Sequence, residues 1–176
     1  MTAALISQGP SAALYPAPEG ERAPEYDLVI GINWVPTRWP CDWWVFVDWD
    51  MWVKGQDHFE GQSLRIATMG DWRKSIERQA PAHQITIAEY VPFESMTPPT
   101  QAHWRGSTGT YALGVAWHLG IRDLDVYGVD LCGTSDFMGD GAGTSRTPDR
   151  WKEERGIWNR MVTDLDRAGM RIRRAQ

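Results

Sequence analysis

Cysteine is nearly absent from this chain: Cys41 and Cys132 stand far apart and have no metal-ligand spacing. That excludes a disulfide framework and a cysteine zinc site, and it fits reduced thiols in a cytoplasm. Long hydrophobic runs are missing too. Leu5 and Ile6 are soon followed by Gly9, Pro10 and Ser11, so neither an export signal nor a membrane-spanning segment is expected. Positive charge is in deficit, with 18 Lys and Arg against 23 Asp and Glu. The resulting net charge of -5 removes the electrostatic footprint of a nucleic-acid-binding domain. Arg171, Arg173 and Arg174 near the end of the chain read as a solvated tail. Histidine is rare, and residues 58, 83, 103 and 118 are too scattered for a ligand cluster.

What is present describes a folding chain. Its 176 residues, 42% of them hydrophobic, suffice for one domain that buries roughly two thirds of its unfolded surface. Eleven tryptophans are the compositional oddity, six of them crowded between Trp34 and Trp52. Most are expected in the core or in pocket walls, since the indole is large and apolar with one polar handle.

The run Ala3 to Ser7 stops at a Gly-Pro-Ser turn and reads as a first strand, with PAPEGERAP at 16–24 as the loop that follows. Residues 26–33, YDLVIGIN, have the continuous apolar centre of a strand covered on both faces, and 43–48, WWVFVD, repeat the pattern. Weaker strand signals at 64–68 and 85–88 flank a short helix over 71–78. From Thr108 to Leu119 apolar residues recur at helical spacing, with Ser107 or Thr108 as N-cap and Gly120 as terminator. Leu124 to Val129 returns as a strand that ends at Asp130. The Gly, Ser, Thr and Asp-rich stretch 133–147 reads as a lid. Thr147 and Pro148 open a long helix whose inner stripe is Trp151, Ile157, Trp158, Met161, Val162 and Leu165; Gly169 ends it, and 170–172 add a last strand. This alternation predicts a single α/β domain, a Rossmann-like, mainly parallel, doubly wound sheet whose ligand lies at the strand ends.

The strand-terminal residues are therefore the candidates for chemistry. Gly9, Pro10 and Ser11 could present backbone N–H groups and a hydroxyl to phosphate, and Ser107, Thr108 and Gly109 open a helix whose positive end favours an anion. Asn33, Asp48 and Asp130 close three strands. Asp48 and Asp50 form a D-x-D pair that could hold Mg²⁺ or Mn²⁺ against a diphosphate. Arg146 and Arg150, at the start of the final helix, could close over a phosphate from the lid side. For acid-base work the candidates are Asp130, Asp48 and His103, whereas His118 inside a helix reads as structural.

Taken in order, ALISQGPSA, YDLVIGIN, WWVFVD and GSTGTYALGVAWHLGIRDLDVYGVD resemble the bacterial sialyltransferases of the campylobacter type. They resemble equally the relatives of those enzymes, the motility accessory factors and archaeal hydroxymethylpterin pyrophosphokinase-like proteins. The resemblance implies a CMP-sugar site at Gly9, Pro10, Ser11, Asn33, Asp48, Ser107, Thr108 and Gly109. Residues 53–100 match poorly and lack the family's longer helical insertion. Two further departures stand out. The family's catalytic histidine before the last helix is replaced by Thr144-Ser145-Arg146-Thr147, and Asp48 stands where those enzymes have asparagine.

The expectation is a glycosyltransferase-like enzyme using a nucleotide-sugar donor, its acceptor a glycan, a metabolite or a modified nucleobase. Mg²⁺-dependent pyrophosphoryl or nucleotidyl transfer is the rival enzyme reading, and a nucleotide-binding module without a base is the non-enzymatic one. A homodimer that completes the site of so short a chain is a further expectation.

Overall fold

The computed structural model describes residues 1–97, 107–131 and 148–175. The proposed lid at 133–147, together with His103 and Arg146, lies outside them.

Seven strands form one sheet: β1 (Thr2–Ile6), β2 (Leu28–Ile32), β3 (Trp43–Val45), β4 (Ser63–Thr68), β5 (Thr86–Pro92), β6 (Asp123–Tyr127) and β7 (Arg171–Arg174). Their order is β5-β4-β3-β2-β1-β6-β7, and every pairing is parallel. The chain therefore steps outward in one direction from β1 to β5, then returns to the other side of β1. The reversal lies between β1 and β6, which pair from Thr2 with Asp123 to Ile6 with Tyr127.

Apolar residues alternate across the sheet because both faces are covered. On one face Leu5, Ile30, Val45 and Val126 pack under α3 (Thr108–His118) and α4 (Pro148–Arg167), which contribute Val115, Ala116, Trp158, Met161 and Leu165. The other face carries two separate clusters. Ala4, Ile6 and Val29 lie under the 3-10 turn Pro10–Leu14 and the loop after it, with Tyr15, Tyr26 and Trp39. Trp44, Phe46 and Ile66 lie under α1 (Trp49–Gly55) and α2 (Arg73–Gln79), with Trp52 and Ile76. Five tryptophans, at 39, 43, 44, 52 and 158, are buried in these clusters, and Trp49, Trp72, Trp117 and Trp151 pack partly buried against them.

The sequence reading placed β1, β2, α3 and α4 within a residue or two. It missed α1, whose seven residues are too few to show a period, and it ran β3 through to Asp48 where the strand ends at Val45. Among the described residues no helix is long and apolar enough to cross a membrane.

Candidate functional site

In an open parallel sheet the crevice forms where neighbouring connections leave in opposite directions, at the carboxyl ends of the strands. Here that point lies between β1 and β6, and it joins residues more than a hundred positions apart. Gly9 N–H donates to the Gly128 carbonyl at 2.8 Å. Ser11 N–H donates to Asp130 Oδ2 at 2.9 Å, and Gly128 N–H donates to Ser11 Oγ at 2.9 Å. The three candidates Gly9, Ser11 and Asp130 thus form one interlocked unit.

The reason for glycine at position 9 follows from this contact. Its backbone is ordinary extended chain, φ -70 and ψ 165, so no left-handed conformation is required. A β-carbon there would lie 2.2 Å from Asp130 Oδ2 and 2.6 Å from the Gly128 carbonyl oxygen. The missing side chain makes room for a protein carboxylate. Ser11 N–H, expected to serve phosphate, already has an anionic partner in Asp130, which caps the turn from another strand.

Asp130 is half-buried, and two arginines hold the backbone at and just after it. Leu131 beside it has φ 52, its carbonyl accepts from Arg155 Nη1 at 2.9 Å, and the Asp130 carbonyl accepts from Arg174 Nη2 at 2.9 Å. Arg174 therefore belongs to the architecture of the site and not to a loose tail. Its neighbours Arg171 and Arg173 likewise pair with Asp123 and Asp125.

On the β2 side Asn33 also ends its strand in the left-handed region, φ 52, with its N–H donating to Val45 at the end of β3. Its carbonyl accepts from the Trp44 indole at 2.7 Å, and its side-chain Oδ1 is buried without a hydrogen-bond partner. A buried acceptor with no donor costs stability.

Ser107 caps α3 through a reciprocal box with Thr110, Ser107 N–H donating to Thr110 Oγ1 at 3.1 Å. The N–H groups of Thr108 and Gly109 follow in the first turn, beyond the reach of intrahelical bonds. Gly109 faces α4, and a β-carbon there would make ordinary van der Waals contact with the Trp158 ring at 3.4 Å, so sterics do not demand glycine at this position.

The remaining candidates are more exposed. Asp48 precedes α1 as its N-cap residue without a side-chain capping bond, and Asp50 in the first turn pairs with Lys54 at 3.2 Å. Among the described residues, no three histidine, cysteine or acidic groups gather as metal ligands. His118 is exposed at the end of α3. Arg150 lies in the first turn of α4, its Nε 2.7 Å from Glu154 Oε1.

Two residues escaped the sequence reading. Gly128 has φ 70, and a β-carbon there would meet the Ser7 carbonyl oxygen at 2.2 Å; a glycine one step after a strand was its only signal. Glu154 is buried on the inner stripe of α4, and its signal was a charged residue four positions before Trp158 on an otherwise apolar face.

Compared with protein-family models, with curated proteins and with solved structures, the chain has no match in any of the three.

Proposed function

We propose that this chain is a glycosyltransferase-like enzyme that uses a nucleotide-sugar donor, with Asp130 as the base that activates the acceptor hydroxyl. The observation that carries the proposal is the Asp130 carboxylate fixed at the sheet's reversal point, where the fold opens its crevice. The likeness to the campylobacter-type sialyltransferases supports the same placement of the nucleotide. It also gives Asp130 the task left by the histidine this chain lacks.

In this reading the phosphate of the donor lies at the start of α3, near Thr108 and Gly109, where the helix dipole and N–H groups stabilise the negative charge of the leaving nucleotide. Asn33, at the end of β2, lies on the same edge of the sheet as the nucleoside. Asp130 takes the proton from the acceptor hydroxyl as its oxygen bonds to the anomeric carbon. The bond from that carbon to the phosphate oxygen breaks, and the nucleotide leaves with the electron pair. Because Ser11 N–H fixes one carboxylate oxygen, the base is positioned before substrate arrives.

A thermal-shift panel of CMP, UMP, UDP, GDP and ATP, each with and without Mg²⁺, tests the binding half. A nucleotide at a hundred times its dissociation constant adds about 2.7 kcal/mol, or about 5–11 °C in a domain of this size. CMP or UDP is expected to give that shift. A shift with ATP that needs Mg²⁺ would instead assign pyrophosphoryl transfer, with Asp48 and Asp50 at the metal. The absence of any shift would overturn the nucleotide site. For the catalytic half, Asp130→Asn retains an acceptor for Ser11 but no carboxylate. It is expected to keep donor binding and lose donor turnover; full turnover in this variant would remove Asp130 as the base.

A further inference from the structure

The turn that follows β6 adopts a backbone that its sequence disfavours. Gly128 passes through φ 70 with the freedom of glycine, but three residues later Leu131 has φ 52 without that freedom. A bulky residue in the left-handed region is strained, and such strain persists only where the surroundings over-determine it. Three contacts do so here. The Leu131 side chain is buried in the core cluster that includes α3 and α4. Its carbonyl accepts from Arg155 Nη1 of α4 at 2.9 Å, and the Asp130 carbonyl accepts from Arg174 Nη2, at the end of β7, at 2.9 Å.

Two guanidiniums on consecutive carbonyls exceed what those acceptors need, since a carbonyl in a loop can bond to water. Charged donors give shorter and stronger bonds than neutral ones. They also come from separate elements, one from the helical layer and the other from the edge strand of the sheet. The backbone on the carboxyl side of Asp130 is thereby tied to both layers. What that backbone carries is a carboxylate whose Oδ2 accepts from Ser11 N–H at 2.9 Å. Among the described residues Oδ1 has no hydrogen-bond partner, so one oxygen is clamped and the other is open. The clamp has little slack, because Oδ2 occupies the space that a β-carbon on Gly9 would fill. A small displacement of the turn would break it.

We infer that Arg155 and Arg174 are positioning residues: by tying the strained Asp130–Leu131 turn to α4 and to β7, they set where the Asp130 carboxylate stands in the crevice. The task of that carboxylate as a base rests on the function proposed above, whereas its placement by the two arginines does not.

The experiment follows amide hydrogen exchange by NMR in the full chain, comparing the wild type with Arg155→Met and Arg174→Met, which keep an apolar stem and remove every donor. Each substitution is expected to lower the protection of the Ser11 N–H about tenfold more than that of Leu5 within β1. Arg155→Lys and Arg174→Lys, which retain a charged donor, are expected to recover most of the loss. In parallel, turnover of CMP-N-acetylneuraminate and of UDP-glucose is measured, and the methionine variants are expected to lose about tenfold in kcat with KM unchanged. Circular dichroism verifies folding; Arg155→Gln and Arg174→Gln, whose amide donors are shorter and uncharged, replace a methionine variant that does not fold. A role in overall stability alone lowers Ser11 and Leu5 protection together. Such a matched loss, or no loss at Ser11, would overturn the inference, as would unchanged kcat in both arginine variants beside an inactive Asp130→Asn. Weakened Ser11 protection with no turnover of either donor, or with full turnover in Asp130→Asn, would sink the base and keep the positioning.

Discussion

Replacing Gly9 by alanine is the sharpest perturbation of the β1–β6 junction. The added β-carbon would meet Asp130 Oδ2 at 2.2 Å and the Gly128 carbonyl oxygen at 2.6 Å, while the φ of -70 is one alanine adopts freely. Backbone strain therefore contributes nothing, and the whole effect is steric. Overpacking of this kind costs about 1–3 kcal/mol. If the carboxylate moves away, its charge-assisted bond from Ser11 N–H is lost as well, a further cost of about 1.5–3 kcal/mol. The sum, about 4 kcal/mol, lowers Tm by about 8–16 °C in a chain of this length. Differential scanning calorimetry of Gly9→Ala, Asp130→Ala and the double variant reads both the size and the coupling. The double variant is expected to fall short of the sum of the singles by about 1–2 kcal/mol, because removing the carboxylate relieves the shorter contact. A Tm within about 3 °C of the wild type, or strictly additive losses, would refute the claim that glycine is there to admit Asp130.

Two further outcomes are expected. Asn33→Gly relieves a left-handed backbone and removes a buried unpartnered oxygen, so Tm is expected to hold or rise while the nucleotide-induced shift shrinks; a fall in Tm with the ligand shift intact would show that Asn33 serves folding. Burial, with hydrogen bonds to Tyr127 and Asp125, holds the Tyr26 hydroxyl far above its ordinary pKa of 10.0. Folding therefore favours the neutral phenol. Stability from this group is complete below about pH 10, where unfolded tyrosine stays protonated, and declines as pH rises above it. Tyr15, Tyr90 and Tyr127 are raised in the same direction, so Tyr26→Phe is expected to flatten only part of the alkaline fall in Tm. An identical pH profile for the variant would disprove the assignment.

The sequence by itself determined the secondary skeleton and the edge of the sheet on which to look. Continuous apolar runs such as LVIGI mark strands covered on both faces, and the stripe of Trp158, Met161 and Leu165 marks a helix packed on one side, because local periodicity records which faces meet the core. It also nominated Gly9, Ser11, Asn33, Ser107 and Asp130, since each closes a strand or opens a helix in the chain order.

Only the tertiary structure decided what these residues do. Strand order is a property of long-range pairing, so nothing near Gly9 in the sequence announces that β6 lies beside β1 or that Asp130 answers Ser11 N–H. The same holds for Arg174, which reads as a solvated tail until β7 pairs with β6 and carries its guanidinium to the Asp130 carbonyl. Glu154 is the mixed case. Its place on the apolar stripe is written in the helical period, but the burial of its carboxylate arises only when α4 is laid against the sheet and α3.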